Sequence, residues 1–295
     1  MLQKLAMGLF LINTSHLEDR VWFRDDEDFK AGMNYVPVAA EKVGVKVIVF
    51  ILMSNHVHFL IRCLGKPLAK TFIDRFKTLY SGYYCNKYKV KAFLENTGET
   101  IQEIPAFDES PERAVAYVQM NCVAANICMS PEAYPWGSGD CFFNLSLKTC
   151  KRLGDMSGRA QIRLLHSNAK LNQNLEVGEQ GYILPRSYVD VKYVEQLYRT
   201  PKRMNFFNVN SSKAKALMEK KITDSFSFSD QVLILATAEI CRYMYQKQEV
   251  SELTRDEQVE VAHTLRQFFR CDAHQIARVL GLNYSEGANI LESFH

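Results

Sequence analysis

The sequence predicts an α+β fold, in which a ferredoxin-like antiparallel sheet with helices is followed by a mainly α-helical C-terminal region. Strand-type and helix-type periodicities alternate in the order β-α-β-β-α-β-α over the first half of the chain. Strongly helical sequence then begins near Ser229. The 295 residues, 47% hydrophobic and 23% charged, fit a globular protein with room for two domains.

Each early element has its own signal. Residues 8–14 (GLFLINT) predict the first strand, and a periodic stretch that opens with acidic residues and closes at Gly44 predicts the first helix. The β-branched run 46–53 and residues 56–62 flank Ser54-Asn55, which predicts a hairpin.

Three further elements complete the predicted order. Residues 68–88 repeat apolar side chains on one helical face, and residues 101–107 predict a short strand. Ser110 and Pro111 open a helix that we expect to continue through Asn126. Proline and glycine in 131–139 then mark a boundary, which predicts two domains, 1–144 and 145–295.

The second domain has one interpretable pattern. At about 259–294, a helix and then two helices joined by a glycine turn resemble a duplex-binding helix-turn-helix, with Gln275, Arg278 and Tyr284 as candidate DNA contacts. A helical hairpin without a role in DNA binding is the alternative. Residues 145–255 carry no motif that we can assign.

Composition excludes several classes of protein. The eight scattered cysteines form no C-x-x-C pair, which argues against a disulfide scaffold or a structural zinc site. No apolar run is long enough to span a bilayer, and the N-terminal stretch alternates like a strand, so we expect a cytoplasmic protein without a membrane partner. A net charge of +3 neither proves nor opposes a nucleic-acid partner.

Four side chains form the candidate site. His56 and His58 are two residues apart, so on a strand they project from the same face. Tyr117 and Asn121 are four residues apart, so on a helix they are neighbours. If that helix packs beside the histidines, the set could bind Mg²⁺ or Mn²⁺ and place a phenol for attack on a phosphodiester. Taken singly, each residue is more often structural.

Cations and tyrosines alternate on and after the second predicted helix. Such a pattern suits single-stranded DNA, because phosphates meet charge and unstacked bases meet rings. The candidate contacts are Arg75, Lys77, Lys87 and Lys89. A solvated helix with aromatic core residues is the alternative.

Residues 1 to about 140 resemble the single-tyrosine transposases of the HUH superfamily, especially the REP-associated tyrosine transposases. The matching stretches are VWFRDDEDF (21–29), GVKVIVFILMSNHVHFLI (44–61), FKTLYSGYYCNKY (76–88) and YVQMNCVAANICMSPEAYPWGSG (117–139). The resemblance extends to their order and spacing.

This resemblance implies an HUH nuclease core in which His56, His58 and Asn121 are metal ligands. It implies that Tyr117 is the nucleophile, which forms a 5′-phosphotyrosine and leaves a 3′-hydroxyl. Members of the family act on single-stranded DNA, usually folded as hairpins, and often as dimers. The sequence departs from the family at Ser54, where proline is usual, and at 122–125, where the family's proline and arginine are missing.

Three hypotheses follow. The first is a metal-dependent, single-stranded DNA endonuclease and strand transferase that acts on hairpin or repeat DNA. The second is a catalytically decayed DNA-binding protein, which the departures motivate. The third is a plain sandwich with both histidines buried for structural reasons.

Overall fold

The computed structural model describes residues 7–14, 20–94, 98–144, 150–212 and 228–292. Its strands are β1 (Gly8–Asn13), β2 (Lys46–Leu52), β3 (Val57–Cys63), β4 (Thr100–Ile104), β5 (Cys150–Arg152) and β6 (Glu176–Gly178). The helices of the first half are α1 (Asp26–Val43), α2 (Lys66–Tyr88), α3 (Ser110–Gln119) and α4 (Asn121–Ala124). The later helices are α5 (Gly158–Leu165), α6 (Val191–Tyr198), α7 (Pro201–Val209), α8 (Asp230–Tyr245), α9 (Arg255–Phe269), α10 (Ala273–Leu280) and α11 (Tyr284–Glu292). The predicted α+β class is confirmed.

The main sheet has the strand order β2-β3-β1-β4, and every neighbouring pair is antiparallel. On one face, Phe59 of β3 packs against Phe72 and Phe76 of α2. On the opposite face, the ring of His58 packs against the ring of Tyr117 in α3. Because successive strand residues alternate, α2 and α3 lie on opposite sides of the sheet.

Two predicted elements end earlier than expected. The strand predicted over 101–107 ends at Ile104, directly before a proline, which cannot donate to a strand ladder. The helix predicted through Asn126 is interrupted at Met120, and a separate short helix, α4, begins at Asn121. The Asn121 side chain donates hydrogen bonds to the carbonyls of Tyr117 and Val118, which offers the backbone an alternative to a continuous helix.

Buried apolar residues of the described chain form more than one core, and the domain boundary at residue 144 stays a prediction. The core around the main sheet includes buried residues from 182–207, such as Tyr198 and Phe207. A separate core joins α8 to α11 through residues such as Leu233, Val261 and Ile276. The C-terminal helical unit, defined here as 228–292, therefore has its own apolar centre. No helix within the described ranges has the length and apolar character that crossing a bilayer requires.

The segment after α4 closes the free edge of β2. The backbone N–H of Leu52 donates to the Trp136 carbonyl at 2.8 Å, and the N–H of Ser138 donates to the Phe50 carbonyl at 3.0 Å. Between these bonds, a Cβ atom on Gly137 would lie 2.9 Å from the Phe50 carbonyl oxygen. A glycine at this position therefore allows the two backbones to approach closely.

We expect Gly137→Ala to lower the free energy of unfolding by about 1–3 kcal/mol, because the added methyl group meets backbone rather than a flexible side chain. Gly82→Ala is the matched control, since its Cβ would meet nothing within 4 Å in the middle of α2. That change should raise stability by about 0.5–1 kcal/mol through helix propensity. Urea unfolding measures both, and a Gly137→Ala protein as stable as the wild type would contradict the close approach.

Candidate active site

The two histidines lie side by side at the start of β3. Their ring centroids are 4.8 Å apart, and the planes are nearly perpendicular. His58 is buried with 1% of its surface exposed, whereas His56 is half-buried at the end of the turn that joins β2 to β3. The strand alternation that places both rings on one face is the one expected from the sequence.

Tyr117 joins this pair from α3. Its ring centroid lies 5.7 Å from that of His58, in an edge-on arrangement. The phenol is half-buried, and this burial raises its pKa. The neutral phenol must lose its proton to become a good nucleophile, so attack by Tyr117 requires a base or a nearby cation.

Asn121 follows one turn later and is buried, with 4% of its surface exposed. Its Nδ2 atom donates to the carbonyl oxygen of Tyr117 at 2.8 Å and to that of Val118 at 3.2 Å. The amide oxygen is therefore the atom of this side chain that has the chemistry of a metal ligand. That this oxygen completes a ligand set with the histidines stays a prediction.

Two asparagines that the sequence analysis missed fix the histidine tautomers. The Nδ1 atom of His58 lies 2.6 Å from Asn13 Oδ1, and that of His56 lies 2.8 Å from Asn55 Oδ1. Because an amide oxygen only accepts, each Nδ1 carries the proton and donates it. A neutral imidazole then carries its lone pair on Nε2.

Such a fixed tautomer is what metal-binding histidines require, since they usually donate their other N–H to an oxygen. That two imidazoles and one amide oxygen bind Mg²⁺ or Mn²⁺ here, with water and phosphate completing the coordination sphere, stays a prediction. In the described part of the chain, no group of three or more His, Cys, Asp or Glu side chains could hold a metal ion. The candidate set contains only two residues of those types, His56 and His58, because its third member is an asparagine.

Two of the lysines predicted to contact DNA lie in ion pairs within the protein. Lys77 is buried, and its Nζ lies 2.5 Å from Glu99 Oε2. Lys87 Nζ lies 2.7 Å from both Asp25 and the fully buried Asp28. Burial alone would lower the pKa of Lys87, but its hydrogen bonds to the two aspartates raise it. These contacts join α2 to the segments around Asp25 and Glu99, and a role of either lysine in DNA binding stays a prediction.

The other predicted contacts differ in exposure. Arg75 and Lys89 are exposed on and after α2. In the C-terminal helical unit, Tyr284 is 45% exposed and stacks on His274, and Gln275 donates to the Phe228 carbonyl. Arg278 is turned away from solvent and pairs with Asp230.

The helix pair predicted as a helix-turn-helix is present as α10 and α11. Gly281 joins the two helices in the left-handed conformation, with a φ of 69°. The predicted second helix extends to Phe294, which lies outside the described residues. Its role in binding duplex DNA stays a prediction.

No protein-family model and no curated protein matches the chain. Among solved structures, the chain is similar to a REP-associated tyrosine transposase bound to a REP hairpin. The two share 12% sequence identity, the TM-score is 0.35, and the match covers 46% of this chain and 78% of that one.

We expect Lys77→Met to lower the free energy of unfolding by about 1–3 kcal/mol, because it removes a partner from the buried Glu99 carboxylate. Arg75→Met, on the exposed side of the same helix, should change stability by no more than about 0.5 kcal/mol. Urea unfolding of both variants tests whether Lys77 stabilises the fold and Arg75 does not. Equal stability of the two variants would show that Lys77 is not a structural residue.

Proposed function

We propose that this chain is a metal-dependent, single-stranded DNA endonuclease and strand transferase in which Tyr117 is the nucleophile. The observation that carries the proposal is the meeting of Tyr117 with His58 and His56 on one face of the sheet, since a phenol on the other face could not share a phosphate with the imidazoles. The sheet order β4-β1-β3-β2 is that of a ferredoxin-like fold, which supports an HUH nuclease core.

In this proposal, the Tyr117 oxygen attacks the scissile phosphorus, and the phenolic proton passes to solvent or a nearby base. The new tyrosine–phosphorus bond replaces the bond to the 3′-oxygen, which leaves as a 3′-hydroxyl after it takes up a proton. The covalent 5′-phosphotyrosine keeps the energy of the broken ester. A 3′-hydroxyl of a second strand can then attack the same phosphorus and release Tyr117, which joins the strands without ATP.

His56, His58 and Asn121 would hold the divalent metal. A bound Mg²⁺ or Mn²⁺ would polarise the scissile phosphate and offset the negative charge that develops on it. The protein itself contributes two imidazoles whose tautomers are set by Asn55 and Asn13, so that Nε2 of each ring is in the form that can ligate. The substrate class, hairpin-forming single-stranded DNA, rests on the sequence resemblance.

Incubation with a labelled single-stranded hairpin and Mn²⁺ should yield a covalent protein–DNA adduct that survives denaturing electrophoresis. Tyr117→Phe removes the attacking oxygen and should abolish the adduct. Tyr243→Phe is the matched control, because this tyrosine is 91% exposed on α8, and it should leave the yield unchanged. Tight hairpin binding by the wild type without any adduct would instead identify a DNA-binding protein that has lost catalysis.

Metal binding can be tested without activity. A ligand that binds only the native state raises the melting temperature, and Mn²⁺ at about 100 times its Kd adds about 2.7 kcal/mol of stability. We expect His58→Ala to abolish this shift and Asn13→Ala to weaken Mn²⁺ binding by roughly 10- to 100-fold, since Asn13 orients the ring. His166→Ala, which alters a ring packed on Tyr83, is the control and should retain the full shift. An undiminished shift in His58→Ala would exclude this ligand set.

A further inference from the structure

The C-terminal helical unit reaches the turn that carries the candidate metal ligands. Ser54 lies in that turn, and its hydroxyl donates to Asp230 Oδ2 at 2.5 Å, across 176 positions of sequence. Both side chains are buried, with 9% of Ser54 and 3% of Asp230 exposed. A buried hydroxyl–carboxylate bond is short and directional, so it fixes the turn relative to α8.

Arg278 holds Asp230 in place. Its Nε and Nη2 atoms lie 3.0 and 3.2 Å from the two carboxylate oxygens, which makes a two-point contact between α10 and the start of α8. The guanidinium satisfies the charge of a carboxylate that would otherwise be costly to bury. Asp230 also occupies the first turn of α8, where a negative charge is favoured by the helix dipole.

The next residue of α8 supports the same turn from a second side. Gln231 Nε2 donates to the Phe23 carbonyl at 2.6 Å. The backbone N–H groups of Phe23 and Trp22 in turn donate to the Ser54 carbonyl at 3.0 and 2.7 Å. Two consecutive residues of α8 therefore hold the turn, one directly and one through the segment before α1.

His56 lies two residues after Ser54, at the end of this turn. The N–H of Met53 donates to the His56 carbonyl at 2.8 Å and closes the turn. Asn55, between Ser54 and His56, accepts the Nδ1 proton of the His56 ring. A displacement of Ser54 would therefore shift the backbone of His56 and change the orientation of its ring.

We propose that Asp230 is a positioning residue for the candidate metal site, acting through Ser54 on His56. The inference rests on the proposed function, and it makes the C-terminal helical unit a structural requirement of the metal site. Asp230 and Arg278 hold the ligand-bearing turn in its ligating geometry, and detachment of this contact loosens the site without altering any ligand.

The test compares Mn²⁺ affinity across variants of the full chain, measured as free Mn²⁺ by electron paramagnetic resonance. Ser54→Ala removes only the hydroxyl and should weaken Mn²⁺ binding about ten-fold, the lower end of the effect expected for an outer partner of a metal ligand. Ser54→Thr retains a hydroxyl and should restore affinity. Asp230→Asn should weaken Mn²⁺ binding as well. The double variant Ser54→Ala with Asp230→Asn should have the same Mn²⁺ affinity as whichever single variant binds Mn²⁺ more weakly.

A second measurement separates positioning from general loss of stability. Thr237→Val removes a buried hydroxyl bond to the Leu233 carbonyl within α8, so it should destabilise the same helix while leaving Mn²⁺ affinity unchanged. Hydrogen exchange at amides 54–57 without metal should quicken in Ser54→Ala and Asp230→Asn but not in Thr237→Val.

The outcomes are distinct. Wild-type affinity in Ser54→Ala overturns the positioning role and leaves the proposed function standing. An equal loss of affinity in Thr237→Val and Ser54→Ala also overturns it, since stability alone would then account for the effect. Failure of the wild type to bind Mn²⁺ overturns the metal-dependent function and this inference with it.

Discussion

The register between β1 and β3 is the constraint on which the candidate site depends. It places Asn13 directly opposite His58, so the residue that fixes the tautomer and the residue that would ligate share one face. Side chains alternate along a strand, so a slip of one residue would turn both imidazoles toward α2 and into the aromatic core. Burial on both faces of β3 makes such a slip costly, since Val57 and Phe59 would exchange sides with His58 and Leu60.

The turn that precedes β3 is unusual because it is buried. Met53, Ser54 and Asn55 are all buried, whereas connections normally run over the surface, where water satisfies their polar groups. Here protein groups replace water: the Ser54 carbonyl accepts from the segment before α1, and the Ser54 hydroxyl donates to α8. A residue without a hydroxyl at this position could not make the second bond. Ser54 therefore supplies a hydrogen bond between this turn and the C-terminal helical unit.

Local sequence signals were enough for the sheet, its order of elements and the pairing of His56 with His58. Alternation and turn residues act over a few positions, and they predicted β2 and β3 to within one residue at the turn. Asn13 and Asp230 could not be found in this way, because their partners are 45 and 176 positions distant and no pattern in the sequence specifies strand pairing or helix docking. For the same reason, the sequence alone could not show that Lys77 pairs with Glu99 and Lys87 with Asp28.

The Asp230–Arg278 pair bears on how the C-terminal helical unit can move. A buried ion pair adds little net stability relative to apolar residues of the same size, but removal of one partner is costly because it leaves a bare charge. The pair lies within the helical unit itself, between α8 and α10, so it can persist when the unit separates from the turn. Separation would break the bonds that Ser54 and Phe23 make to α8. The bonds from Ser54 and Phe23 thus join the histidine turn to a helical unit whose own ion pair does not depend on them.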